Sequence, residues 1–216
     1  MKKIYLIQED LSDSSILENI SSLLASGKVG VLPTATIYGL SCIHDNEGAV
    51  KKIYSIKKRK SGTPFIVLIS SMSQLKTLTV GVNDPVKKLI AKYWDIKKPY
   101  PLTLILSKNE SIGSFVTGGM PTIAIRMAGL KVIRDIIDLT GPVVSTSATL
   151  SGTMVQPRTI DEVPEEIKKG ADFVVDHGSS LGGKESTIVD LTDEEPVLLR
   201  QGAVDYEDIL GDLYDY

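Results

Sequence analysis

The chain has 216 residues, 42% of them hydrophobic, and its 24 lysines and arginines against 27 acids give a formal charge of −3. That size and composition allow one large domain or two small ones around a sizeable core. The single cysteine, Cys42, excludes an intrachain disulfide, and neither a signal-peptide core in the opening MKKIYLIQEDLSDSS nor a run of ~18 apolar residues is present, so the cytoplasm is the expected location.

Residues 4–7 read as a short strand. Ser12 or Asp13 caps a helix through ILENISSLLA, where Ile16, Leu17, Ile20, Leu23 and Leu24 recur at the helical period and Gly27 ends it. Residues 29–33, VGVLP, form a buried strand. Asp45 or Asn46 caps a second helix with Val50, Ile53, Tyr54 and Ile56 on one face. Residues 65–70, FIVLIS, are too short and too uniformly apolar for a surface helix and make a central strand. Asp84 followed by Pro85 opens another helix. Residues 101–106 and 122–126 are strands, LKVIRDIIDL is a helix ended by Gly141, and VVS, FVV, STIVDL and VLLR are later short strands. Thr159 caps a further helix, with Asp161 and Glu162 favourable in its first turn. No repeat, low-complexity tract or linker interrupts the alternation, which predicts a single α/β domain with a twisted sheet flanked by helices. Hairpin-like spacing near the C-terminus favours a mixed sheet.

Charge is unevenly spread. From Lys51 to Arg134 sixteen basic residues face three acids, Asp84, Asp95 and Glu110, so this segment is near +13 and the rest of the chain near −16. The asymmetry points to a polyanionic ligand, nucleotide or nucleic acid, or to two solvated faces that cancel each other's field.

Four segments can carry chemistry. Residues 33–40, PTATIYGL, follow a buried strand and offer two hydroxyls, a phenol and a glycine to a polar ligand, or form a plain threonine-stabilised turn. Residues 57–64, KKRKSGTP, close the second helix. Cations there suit the helix dipole, yet six basic residues among positions 51–60 exceed what capping requires. Lys57 and Arg59 stand two apart, so a loop lets both reach one phosphate. Both are read as exposed cations. Residues 144–152, VSTSATLSG, place hydroxyls after a strand. Glu185-Ser186-Thr187-Ile188-Val189-Asp190 is followed by Arg200-Gln201-Gly202, and Arg200 is the one basic residue from position 190 onward. Gly183-Lys184 is followed by Glu185, so no Walker A motif forms, and no nucleophile elbow or zinc helix is present. His44 and His177 read as loop residues, Cys42 as a small buried hydrophobe, and Trp94 and Tyr93 as core. No metal site is expected. The chemistry on offer is cations and hydroxyls, without an acid–base dyad.

In this order the segments resemble the YrdC-like family of threonylcarbamoyl-AMP synthases, over about residues 14–204. The family pattern PTETVYGL, KxR with a short loop and PL, AVR, STSANxSG, STIVD and RxG reads here as PTATIYGL, KKRKSGTPF, AIR, STSATLSG, STIVD and RQG. Each motif is weak alone, and six in register are specific. The departures are Ala35 for the usual glutamate, Thr63 for asparagine, Leu68 for histidine, Thr149 for asparagine, and Lys98-Pro99-Tyr100-Pro101 for the usual PGP element.

The resemblance implies one YrdC-like domain over residues 1–216 with a cationic concave face and no additional C-terminal domain. It implies a nucleotidyltransferase that makes threonylcarbamoyl-adenylate and pyrophosphate from L-threonine, bicarbonate and ATP for tRNA modification. Lys57, Arg59, Ser147 and Thr149 would be the catalytic set, and Lys57, Arg59, Thr63, Thr122, Ser147 and Arg200 would bind ATP. Thr36, Arg126, Ser145 and Ser186 would bind threonine. Mg²⁺ would arrive with ATP, with tRNA and the threonylcarbamoyl-transfer machinery as partners and no membrane. Two alternatives stay open: a YciO-type protein that binds RNA or nucleotide without synthase activity, and a related carbamoyl-adenylating enzyme with another substrate.

Overall fold

Apolar spacing places the first helix. In the computed structural model, which describes residues 3–7, 14–179 and 182–214, α1 (Ser14–Ala25) buries Leu17, Ile20 and Leu24 on one stripe. Each such side chain contributes roughly 1.5–3 kcal/mol of transfer free energy. Gly27 adopts φ +77°, and its N–H bonds back to Leu24 O, ending the helix as expected. The expected caps Ser12 and Asp13 lie outside the described residues.

Before α1 stands β1 (Lys3–Leu6). After it come β2 (Gly30–Leu32), β3 (Gly39–Ile43), α2 (Glu47–Lys57) and β4 (Ile66–Ile69). Next are α3 (Met72–Leu78), α4 (Asp84–Tyr93), β5 (Leu102–Ser107), α5 (Ser114–Thr117) and β6 (Thr122–Met127). The remainder is α6 (Lys131–Thr140), β7 (Val143–Ser147), α7 (Glu165–Gly170), β8 (Phe173–Asp176), β9 (Thr187–Asp190), β10 (Val197–Arg200) and α8 (Tyr206–Tyr214). Asn46 caps α2 by accepting from Ala49 N–H at 2.9 Å, and Asn83 caps α4 by accepting from Val86 N–H at 3.0 Å. None of the helices among the described residues is long and apolar enough to cross a membrane.

The strands form one mixed sheet in the order β1-β8-β2-β3-β7-β4-β6-β5-β9-β10. The pairs β1/β8, β8/β2, β4/β6 and β5/β9 are parallel and the others antiparallel, including the β9/β10 hairpin. With helices on both faces, this is a single-domain α/β fold. One face carries the larger core, in which Val67, Ile125 and Val144 pack against α2 residues Val50 and Ile53 and α4 residue Leu89. The other face is covered by α1 and α6 through Ile20, Leu24, Ile133 and Ile136. Those two helices leave part of that face open. Ser145, its β4 partner Ile66, and Arg126 on β6 line the opening.

Two expectations fail. Thr159 does not cap a helix: its carbonyl accepts from Glu162 N–H in a turn, and α7 begins only at Glu165, after Pro164. Proline disfavours helical geometry in the residue before it, so a helix capped at Thr159 cannot run through Val163. Neither Lys57 nor Arg59 is an exposed cation: Lys57 is the last residue of α2 and only 2% exposed, and Arg59 is half-buried against Thr146, Pro64 and Phe65.

Candidate functional site

The loop between β2 and β3 is built by its own hydroxyls. Thr34 Oγ1 donates to Ile37 O at 2.6 Å and accepts from the N–H groups of Thr36 and Ile37. That arrangement turns Thr36 toward Arg126, whose NH1 donates to Thr36 Oγ1 at 3.4 Å. Tyr38 is fully buried, and its hydroxyl donates to Gly178 O at 2.7 Å. Burial, with a smaller contribution from nearby Asp176, raises the Tyr38 phenol to about 12, so it stays neutral. Gly39 is needed for approach: a Cβ there would stand 2.6 Å from Ser145 Oγ.

The basic run divides at Lys58, which holds the left-handed conformation, φ 50° and ψ 38°, at the end of α2. Lys57 therefore points inward and Arg59 turns toward the sheet. Lys57 Nζ donates to Ser147 O, to Ser147 Oγ at 3.2 Å and to Thr149 O at 2.6 Å, which uses all three of its N–H groups. Burial, then the neighbouring Arg59, lowers its pKa to about 8. Arg59 NH1 donates to Thr146 Oγ1 at 3.0 Å and NH2 to Pro64 O at 2.9 Å, with the guanidinium 4.9 Å above the Phe65 ring.

A third wall comes from β9 and β10. Arg200 Nε donates to Ser186 O and NH2 to Ser186 Oγ, while NH1 pairs with Glu185 at 3.0 Å. Ser186 Oγ also bonds Thr103 Oγ1 on β5 at 2.8 Å.

These walls enclose two cavities. The inner one, about 240 Å³, is lined by the Thr34–Gly39 loop, Arg59, Arg126, Ser145, Ser147, Glu185, Ser186 and Arg200 among others. The outer one, about 380 Å³, is lined by Lys57, Arg59, Lys60, Thr63, Ser147, Thr149 and residues 150–153. Arg59 and Ser147 line both, so the cavities meet there. Arg126 is 8% exposed and makes no ion pair among the described residues. Burial, then Arg200, lowers its pKa to about 10, and it remains charged at neutral pH. A buried guanidinium without a carboxylate partner costs several kcal/mol, which an anionic ligand would recover.

The expected site residues separate cleanly. Thr36, Arg126, Ser145, Ser186 and Arg200 line the inner cavity, Lys57, Thr63 and Thr149 the outer one, and Arg59 and Ser147 both. Thr122 opens β6 opposite Ser107 and lines neither. Glu185, Thr146 and Ile188 also line the inner cavity; they belong to segments named from sequence but carried no individual role there. Glu185 stands directly before the Ser186 hydroxyl, and an acid in that place was the available signal. Of the departures, Leu68 is buried beside Arg126 across the β4/β6 pair. Thr149 is 3% exposed, with its hydroxyl 3.0 Å from Ser147 Oγ.

The Sua5_yciO_yrdC family model, described as "Telomere recombination", matches residues 22–202. A Pyrococcus abyssi protein named threonylcarbamoyl-AMP synthase is 35% identical over 190 residues, which cover 88% of this chain and 54% of that relative. A Bacillus subtilis protein of the same name is 38% identical over 88% of this chain and 54% of its own length. The crystal structure of P. abyssi Sua5 complexed with L-threonine superposes with TM-score 0.90 at 32% identity, covering 98% of this chain and 60% of that one. The chain thus spans about half the length of these synthase relatives.

Proposed function

The chain belongs to the Sua5/YciO/YrdC family, and we propose that it is a threonylcarbamoyl-adenylate synthase. The reading rests on one observation above others: a buried Arg126, with no ion pair among the described residues, in an inner cavity that joins an outer cationic cavity at Arg59 and Ser147. L-threonine, which the P. abyssi Sua5 structure carries, enters the inner cavity with its carboxylate on Arg126 and its hydroxyl among Thr36, Ser145 and Ser186. ATP enters the outer cavity with its phosphates toward Lys57, Arg59 and Lys60. Mg²⁺ comes as part of the MgATP substrate, held by phosphate oxygens.

The chemistry suits such walls. The threonine ammonium first gives a proton to solvent; the neutral amine then attacks bicarbonate carbon and water leaves, giving the N-carboxylate. A carbamate oxygen then attacks the α-phosphorus and pyrophosphate departs. Both steps gain from orientation and from neutralising charge on non-bridging oxygens, and neither requires a strong protein base. That Arg59 lines both cavities supports its role at the α-phosphate. Lys57, with its N–H groups committed to Ser147 and Thr149, shapes the turn and supplies field. The adenylate would then serve tRNA modification by the transfer machinery, in the cytoplasm.

Pyrophosphate release from MgATP that requires both L-threonine and bicarbonate would support this reading, and release indifferent to either would overturn it. A second reading, RNA binding without turnover, draws on the excess of cations between Lys51 and Arg134. It predicts a salt-sensitive tRNA complex and no pyrophosphate.

A further inference from the structure

We propose that Glu185 recognises the substrate amine and makes the inner cavity selective for α-amino over α-hydroxy acids. The proposal rests on the reading of that cavity as an amino-acid site and adds the group that sees the nitrogen.

The argument begins with charge. The described lining of the inner cavity holds three guanidiniums, on Arg59, Arg126 and Arg200, and one carboxylate, on Glu185. An amino acid brings a carboxylate that this surplus attracts and an ammonium that it repels. A zwitterion therefore needs an anion beside its nitrogen. Neutral acceptors in the lining are largely committed. Thr34 Oγ1 is tied into its turn, Ser145 Oγ accepts from Ser41 Oγ, and Ser186 Oγ bonds Thr103 and Arg200.

Glu185 has capacity to spare. Its Oε1 meets Arg200 NH1 at 3.0 Å, and Oε2 makes no hydrogen bond to the described residues. Arg200 does not depend on that ion pair for its orientation, because Nε and NH2 are held by Ser186 O and Oγ at 2.9 and 3.0 Å. The backbone beneath Glu185 is fixed as well. Ala203 N–H donates to Glu185 O at 3.0 Å, and a Cβ at Gly202 would overlap Glu185 O and the Ser186–Thr187 peptide. Glu185 lines the inner cavity beside Arg126 and Arg200, and its charge favours the protonated forms of Lys57 and Arg126. Its second oxygen is a pre-placed acceptor for N–H, with the charge an ammonium requires.

Calorimetric titration of L-threonine and of its α-hydroxy counterpart, 2,3-dihydroxybutanoate, tests this in the wild type, E185Q and E185A. The wild type is expected to prefer threonine by about tenfold or more, the range of one charge-assisted hydrogen bond. In E185A the preference should fall below about threefold while 2,3-dihydroxybutanoate affinity stays near wild type. E185Q keeps the volume and one acceptor oxygen, so it should fold and fall between. A wild-type preference retained in E185Q and E185A, or an equal loss of both affinities, would overturn the role of Glu185. Wild-type protein that binds neither compound would overturn the amino-acid reading and this proposal with it.

Discussion

Replacing Lys57 by Met should destabilise the fold. The stem is buried and methionine fills most of it, so the loss falls on the ammonium and its three acceptors. Ser147 O and Thr149 O lose a donor in a buried place, at ~1–3 kcal/mol each. Relief from desolvating the cation offsets part of this, leaving a loss of roughly 2–4 kcal/mol. At 2–4 °C per kcal/mol for a chain of this size, melting should fall by about 5–15 °C. The pH dependence has a definite sign. The folded pKa, about 8, lies below the ordinary 10.5. Between those values the unfolded chain binds more protons at this site, so the Lys57 contribution makes stability rise with pH across that window. The Met variant should lack that rise. Urea unfolding at pH 7.5 and at pH 10 measures both effects. A variant within about 0.5 kcal/mol of wild type at pH 7.5, with an unchanged pH slope, would refute the reasoning.

Three further outcomes are expected. Arg126→Lys keeps charge but loses the planar fork, so the threonine KM should rise by about tenfold with a much smaller change for ATP; an unchanged threonine KM would assign Arg126 to the scaffold. Lys58→Gly relieves a left-handed residue whose side chain, among the described residues, pairs with just Glu166, at 3.7 Å in solvent. It should raise the urea midpoint by the equivalent of ~0.5–1 kcal/mol without altering turnover, and a lower midpoint would contradict the strain assigned to that turn. Gly202→Ala forces a methyl onto the Glu185–Thr187 backbone and should cost about 2–4 kcal/mol in thermal or urea unfolding; wild-type stability would show that this segment yields.

The fold was legible where one element carries its own signal. Residues 65–70 and 122–126 are apolar enough to announce central strands, and α6 repeats Val132, Ile133, Ile136 and Ile137 at the helical period. β3 was hidden because Gly39, Ser41 and Cys42 are small residues with little strand character, although the strand is paired on both sides. α3 buries only Leu75 and Leu78 over seven residues, too short for a period to show. The burial of Lys57 was illegible for another reason. A KKRK run looks solvated until β7 brings Ser147 and Thr149, some ninety positions away, onto its amine. Arg126, Ser145 and Ser186 could be named from motifs, but their convergence required the pairing of β7, β4, β6, β5 and β9.

The central claim is most directly tested by incubating the protein with labelled bicarbonate, MgATP and each of several amino acids, and identifying the labelled product. The account predicts label in an adenylate that also contains threonine, formed together with pyrophosphate, and absent when Arg126 is replaced by Met. Label in no adenylate with any amino acid, from folded protein, would contradict it.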